Sequence, residues 1–136
     1  DLPYVKQVSL AEIQQHADVI SFHTPLTQET HYYLNADFIN GCAKPFYLIN
    51  TARGKVVNTV ALVEGLKTKR ILGACLDVLE YESSAFENDF QNDMPEPMKY
   101  LIESDNVILS PHAAGWTIES YEKLSQFLLE KILANF

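Results

Sequence analysis

The chain has 136 residues and a mass of 15.4 kDa, the size of one ordinary domain, and its 47% apolar content is enough to bury a core of normal size. Ten basic residues against 18 acidic ones give a formal charge of -8, which repels phosphate backbones and anionic bilayers and argues against nucleic-acid and membrane-surface partners. No apolar run nears the roughly 20 residues of a membrane span.

The chain opens on Asp1-Leu2-Pro3 without an initiator Met or a leader, an opening expected from the interior of a longer protein. Ser9 followed by Glu12 forms a capping box for a short helix over residues 9–16. Residues 18–23, DVISFH, form a buried strand ended by Thr24-Pro25, since the residue before proline leaves helical space. Asn35 caps a second short helix that runs through Asn40 and is closed by Gly41, and residues 46–50 are the next strand. Asn58 caps a third helix with Val60, Ala61, Val63 and Leu66 at helical spacing, and Lys67, Lys69 and Arg70 suit its negative end. A third strand over 71–78, ILGACLDV, leads to an acidic stretch between Glu80 and Glu96, expected as a surface loop too irregular to bind calcium. A short helix near 98–103 and a fourth strand over 107–110 precede one long helix over 116–136. Cys42 and Cys75 have no metal-ligand spacing and are expected as free thiols, with Cys75 a small core residue, a usage that fits a reducing cytoplasm.

Four short apolar strands separated by helical segments predict an α/β fold with a parallel, Rossmann-type sheet flanked by helices. In such sheets ligands bind outside the carboxyl ends of the strands. Those ends carry His23-Thr24-Pro25, Asn50-Thr51-Ala52-Arg53, Asp77 through Glu82, and Ser110-Pro111-His112. On its own stretch Arg53 reads equally well as a solvated loop charge or as an anion clamp, and the acid and histidine at neighbouring strand ends favour the clamp. His112 is a candidate proton donor and acceptor, with Glu82 as the carboxylate that orients it and Glu80 as the competing choice from spacing. An anion clamp with an acid/base pair on a nucleotide-type fold suggests interconversion of a carbonyl and an alcohol, with hydride held by a cofactor. Nothing supports a P-loop, a nucleophile elbow or a zinc-protease motif.

The segments ADVISFHTPLTQET, YLINTARGKVVNTVALVEGL, ILGACLDVLEYE and NVILSPHAAGWT, in this order and spacing, closely resemble the NAD-dependent D-2-hydroxyacid dehydrogenase family, which includes D-3-phosphoglycerate, D-lactate and glycerate dehydrogenases. The resemblance runs from about Ser9 into the last helix. It implies Arg53 as the substrate-binding arginine, His112 as the general acid/base and Glu82, in preference to Glu80, as its partner acid. It also implies NAD contacts from Thr24, Pro25 and Thr30 on the adenosine side, and from Thr51, Ala52, Arg53, Asp77, His112 and Gly115 toward the nicotinamide, with no metal. His16, His23 and His31 lack comparable context, and only His23 is placed where it could touch cofactor. Trp116 departs from the small residue of many family members, either bulking the pocket or stapling the last helix.

The family's glycine-rich pyrophosphate turn and the acid that grips the adenosine ribose precede the matched region and have no counterpart here. Residues 1–115 are therefore expected to be the C-terminal part of an NAD-binding domain, and 116–136 a helix leading back to a substrate domain, with the first strand an exposed edge. The implied activity is hydride transfer between NAD and C2 of a D-2-hydroxy or 2-oxo acid, with 3-phosphoglycerate the leading substrate, in a cytoplasmic homodimer assembled through the NAD-binding domain. The chain alone is expected to be inactive and prone to self-association. The alternative from a different class is an NAD-responsive binding module, corepressor-like, on the same fold.

Overall fold

Local sequence signals start most of the helices. The computed structural model describes residues 3–81 and 94–135. Ser9 caps α1 (Leu10–His16): its hydroxyl accepts from the Glu12 N–H while the Glu12 carboxylate accepts from the Ser9 N–H, so two donors without helical partners are satisfied reciprocally. Strand β1 (Val19–Phe22) follows, then α2 (Ala36–Gly41) and β2 (Phe46–Asn50). A single 3-10 turn (Gly54–Val56) leads into α3 (Thr59–Lys67), whose cap Asn58 accepts from the Ala61 N–H at 2.9 Å. Strand β3 (Ile71–Leu76), α4 (Glu96–Glu103), β4 (Val107–Leu109) and the long α5 (Ile118–Asn135) complete the described chain. The acidic stretch expected as a surface loop lies outside the described residues from 82 to 93, and Glu82 lies with it.

The four strands pair in parallel in the order β1-β2-β3-β4, the α/β architecture expected from the sequence. Sequential order with right-handed crossovers sends every connection over the same face. Against that face Ile20, Phe22, Phe46, Leu48, Ala74 and Leu76 meet Leu34, Phe38, Leu62, Leu66 and Leu101 from the connecting segments. Complete burial of side chains such as Phe46, Leu48 and Leu62 stabilises the fold by about 1.5–3 kcal/mol each.

The opposite face of the sheet is bare and carries Val19, Tyr47, Leu72, Cys75 and Ile108. This corrects the expectation that Cys75 is a core residue: it is exposed, whereas Cys42 is buried, and burial pushes the Cys42 thiol up. An unbroken apolar run reads as a strand covered on both faces, and among the described residues only one face is covered. Gly41 is a second correction. It ends α2 within the helix and no glycine has a positive φ, so the chain leaves α2 through Cys42 in extended conformation rather than through a left-handed glycine cap.

Helix α5 has no buried residue, and its apolar side chains, Leu124, Phe127 and Leu133 among them, stand in solvent. Trp116 is 72% exposed. Among the described residues no helix is long and apolar enough to cross a membrane.

Candidate active site

The carboxyl end of β2 delivers Arg53 through a turn built by Asn50. Asn50 closes the buried alternation of its strand and is wholly inaccessible, so both ends of its amide need partners. Its Oδ1 accepts from the Ala52 N–H at 3.1 Å and its Nδ2 donates to the Arg53 carbonyl at 3.1 Å. One side chain thus fixes the backbone on both sides of the Ala52–Arg53 peptide. The next residue must be glycine because the chain from β3 passes over it: a Cβ on Gly54 would lie 1.9 Å from the Leu79 carbonyl oxygen. Arg53 itself is exposed and spends one N–H on the Ala52 carbonyl at 2.6 Å. A guanidinium has five such donors.

His112 sits beyond β4 in the left-handed region, φ 54. Asp77, at the end of β3, holds its turn. The Asp77 Oδ1 accepts from the Ser110 hydroxyl at 2.6 Å and the Ala113 N–H at 2.8 Å, and Oδ2 accepts from the Ala114 N–H at 3.0 Å. The Asp77 N–H donates to the Asn50 carbonyl at 3.0 Å, so this one residue joins the strand end that carries Arg53 to the turn that carries His112. Burial pushes the Asp77 carboxyl up, but the three donated hydrogen bonds and the charge of His112 outweigh it and hold the group below its usual range.

A depressed carboxyl stabilises the fold fully above its unfolded value, near 3.8, and loses that contribution as the pH falls through the lower folded value. Asp77→Asn turns an amide N–H toward one of the two backbone donors, that of Ala113 or that of Ala114, and is expected to cost about 1–3 kcal/mol at neutral pH. Urea titrations of the wild-type chain and the variant should converge as the pH is lowered below 3.8. A constant gap across that range would rule out the charged form of Asp77 as the source.

The other expected positions lie in the segments that follow β1, β2 and β4. Thr51 lies 3.3 Å from His23 Nδ1 through its hydroxyl, and Ser21 meets His23 Nε2 at 2.8 Å, so His23 bridges the ends of β1 and β2. Thr30 donates to the Pro25 carbonyl at 2.6 Å and exchanges hydrogen bonds with Thr27, which shapes the exposed loop bearing Thr24 and Pro25. Ala52 is buried beneath the arginine turn. Gly115 faces open space, with no heavy atom within 4 Å of a Cβ placed there. Glu80 is committed elsewhere: its carboxylate accepts from the Tyr32 hydroxyl and the Thr59 N–H. Sequence reasoning put Asn50 and Ser110 at the strand ends without giving them a role and missed Tyr32; for Asn50 the available signal was an amide ending the buried alternation of a strand. Among the described residues no group of three or more His, Cys, Asp and Glu is placed to hold a metal ion.

Residues 2–114 match the family model for the D-isomer specific 2-hydroxyacid dehydrogenase NAD-binding domain. The chain belongs to this family. A glyoxylate reductase of Thermofilum pendens is 38% identical over 134 residues, which are 98% of this chain and 36% of that protein. A D-lactate dehydrogenase of Treponema pallidum is 34% identical over 123 residues, 89% of this chain and 37% of that protein. Among solved structures, the NAD-complexed D-isomer specific 2-hydroxyacid dehydrogenase of Lactobacillus delbrueckii ssp. bulgaricus superposes with a TM-score of 0.80 at 35% identity, covering 96% of this chain and 40% of that one. The Aquifex aeolicus D-lactate dehydrogenase complexed with NAD and lactic acid gives a TM-score of 0.75 at 36% identity, with 93% and 39% covered. The chain therefore spans well under half the length of these relatives.

NAD, the cofactor expected from the sequence, is the one for which the matched family domain is named. The side chains at the rim suit its nicotinamide end. A carboxylate has about four lone-pair positions; Asp77 uses three, which leaves one on Oδ2 for an amide donor such as a carboxamide. The Thr51 hydroxyl, 3.3 Å from His23 Nδ1, adds a polar group at the end of β2, and Gly115 leaves room for a ring.

Proposed function

We propose that this chain forms the nicotinamide-facing and substrate-facing rim of a D-2-hydroxyacid dehydrogenase that interconverts a 2-oxo acid and a D-2-hydroxy acid. The observation that carries the reading is the placement of Asp77, whose N–H bonds the strand end leading to Arg53 and whose carboxylate shapes the turn of His112. On this reading the anion clamp and the proton-transfer group stand beyond the ends of β2 and β4, the strands on either side of β3.

When bound, NAD carries the hydride that C2 gains or loses. Arg53 pairs with the substrate carboxylate in a planar, charge-assisted geometry and polarises the adjacent carbonyl. His112 gives its proton to the carbonyl oxygen in the reductive direction and recovers it from the alcohol in the reverse. Glu82 pairs with the imidazole and fixes its orientation. Thr24, Pro25 and Thr30 serve the adenosine side of the cofactor, and Thr51, Ala52, Asp77 and Gly115 the nicotinamide side.

In the same reading residues 1–115 are the C-terminal part of the NAD-binding domain and 116–136 lead to the substrate domain of a homodimer assembled through the NAD-binding domains. Free Cys42 and Cys75 suit the cytoplasm. The substrate class is a small 2-oxo acid or its D-2-hydroxy counterpart, with 3-phosphoglycerate in the panel beside the glyoxylate and lactate of the relatives' names.

The test is turnover of glyoxylate, pyruvate, phenylpyruvate and phosphohydroxypyruvate with NADH. The whole protein should reduce at least one of them, glyoxylate to achiral glycolate or the others to the D-isomer, with kcat on the order of 1–10³ s⁻¹, while the 136-residue chain alone should not. Absence of turnover with every acid in the whole protein, or an L-product, would sink the reading.

A further inference from the structure

Tyr32 was not expected at the site and Glu80 only as the competing acid for His112, yet together they brace the arginine turn. Tyr32 adopts φ 51, a left-handed conformation that a bulky side chain keeps only where its surroundings over-determine it. Both of its ends are held. Its backbone N–H donates to the Lys55 carbonyl at 2.8 Å, and its phenol donates to Glu80 Oε1. The second carboxylate oxygen, Oε2, accepts from the N–H of Thr59, the first residue of α3, at 2.9 Å. The backbone at Leu79 and Glu80 rests against Gly54 so closely that no Cβ fits between them. A closed ring of contacts therefore runs from the Arg53-Gly54-Lys55 turn through Tyr32 to Glu80 and back onto Gly54.

The protonation states suit a permanent strut. The hydrogen bond to Glu80 pushes the Tyr32 hydroxyl up to about 12, so it stays a donor. Burial pushes the Glu80 carboxyl up, but the bonds from Tyr32 and Thr59 and the charge of Lys55 outweigh it and hold the group below its usual range.

We propose that Tyr32 and Glu80 are positioning residues for Arg53, their contact setting where the arginine turn stands at the rim and so the reach of its guanidinium toward a substrate carboxylate. The proposal rests on the reading of Arg53 as the carboxylate clamp. Neither residue touches the reacting atoms.

Tyr32→Phe removes one oxygen and keeps the ring. In the whole protein it should raise KM for the 2-oxo acid about five- to tenfold, the worth of one net hydrogen bond, with kcat and the KM for NADH nearly unchanged. Glu80→Ala should do the same, Glu80→Gln should recover part of the loss through its remaining carbonyl acceptor, and the Tyr32→Phe/Glu80→Ala double variant should be little worse than Glu80→Ala. A fall in kcat at constant KM, or fully additive effects, would overturn the proposal. Hydrogen exchange in the 136-residue chain separates this from the functional reading. The Val56 and Val57 amides, which donate to the Arg53 and Gly54 carbonyls at 3.1 Å, should exchange faster in Tyr32→Phe, while the Ala17 amide at the end of α1 should not. Unchanged exchange at Val56 and Val57 overturns the strut whether or not the wild-type protein turns over. Faster exchange in a protein without any turnover upholds the strut and sinks the role given to Arg53.

Discussion

His112→Asn is expected to lower kcat of the whole protein by about 10²–10⁴-fold, the usual contribution of a positioned general acid/base, while the KM for NADH changes little. Asparagine is the informative replacement because of the backbone. His112 has φ 54, and asparagine enters the left-handed region at lower cost than most residues. The Asp77 bonds to Ser110, Ala113 and Ala114 therefore survive, and the turn keeps its shape. A carboxamide is neither an effective general acid nor an effective general base near neutral pH, so lost turnover in a folded variant reports chemistry. Steady-state rates and the melting temperature should be measured together. If turnover persists within tenfold at unchanged stability, His112 is not the proton carrier. The same variant addresses the alternative of an NAD-responsive recruiter, which would keep its partner protein after losing the imidazole.

What the sequence made legible was local. The capping box at Ser9 and Glu12, the caps at Asn35 and Asn58, and the apolar segment Phe46–Asn50 appear where they were expected, because a cap or a short buried strand is decided within a few residues. The strand ends were legible as a rim because prolines and polar residues stop apolar runs at equivalent places. The contacts that build the rim were not. Tyr32 and Glu80 are 48 positions apart and Ser110 and Asp77 are 33 apart, and no spacing rule connects such pairs before the sheet order is known. The exposure of Cys75 was hidden for a related reason: composition identifies a strand that can be covered on both faces, while the layers present decide whether it is. Glu82 was chosen over Glu80 on spacing and resemblance. The structure engages Glu80 with Tyr32 and Thr59, and Glu82 lies outside the described residues.

Arg53→Ala should raise KM for the 2-oxo acid far more than it changes the KM for NADH. Truncating one member of a hydrogen-bonded charge pair costs about 2–5 kcal/mol, equivalent to a loss of roughly 30- to 5,000-fold in kcat/KM at about 1.36 kcal/mol per factor of ten. The turn itself should persist, because Asn50 holds the backbone on both sides of residue 53 and uses the Arg53 carbonyl rather than its side chain. Arg53→Lys supplies the sharper comparison. Lysine keeps the charge but replaces a planar fork by a point, so it should recover only part of the loss if the carboxylate is gripped by two parallel N–H groups, and nearly all of it if the site merely needs a cation. The guanidinium already bonds the Ala52 carbonyl at 2.6 Å, which orients its plane in a way that an ammonium could not reproduce. Full recovery by lysine would therefore refute the bidentate clamp while leaving an electrostatic role for residue 53. Equal losses for 2-oxo acid and NADH would refute both, since the arginine would then be supporting the rim as a whole.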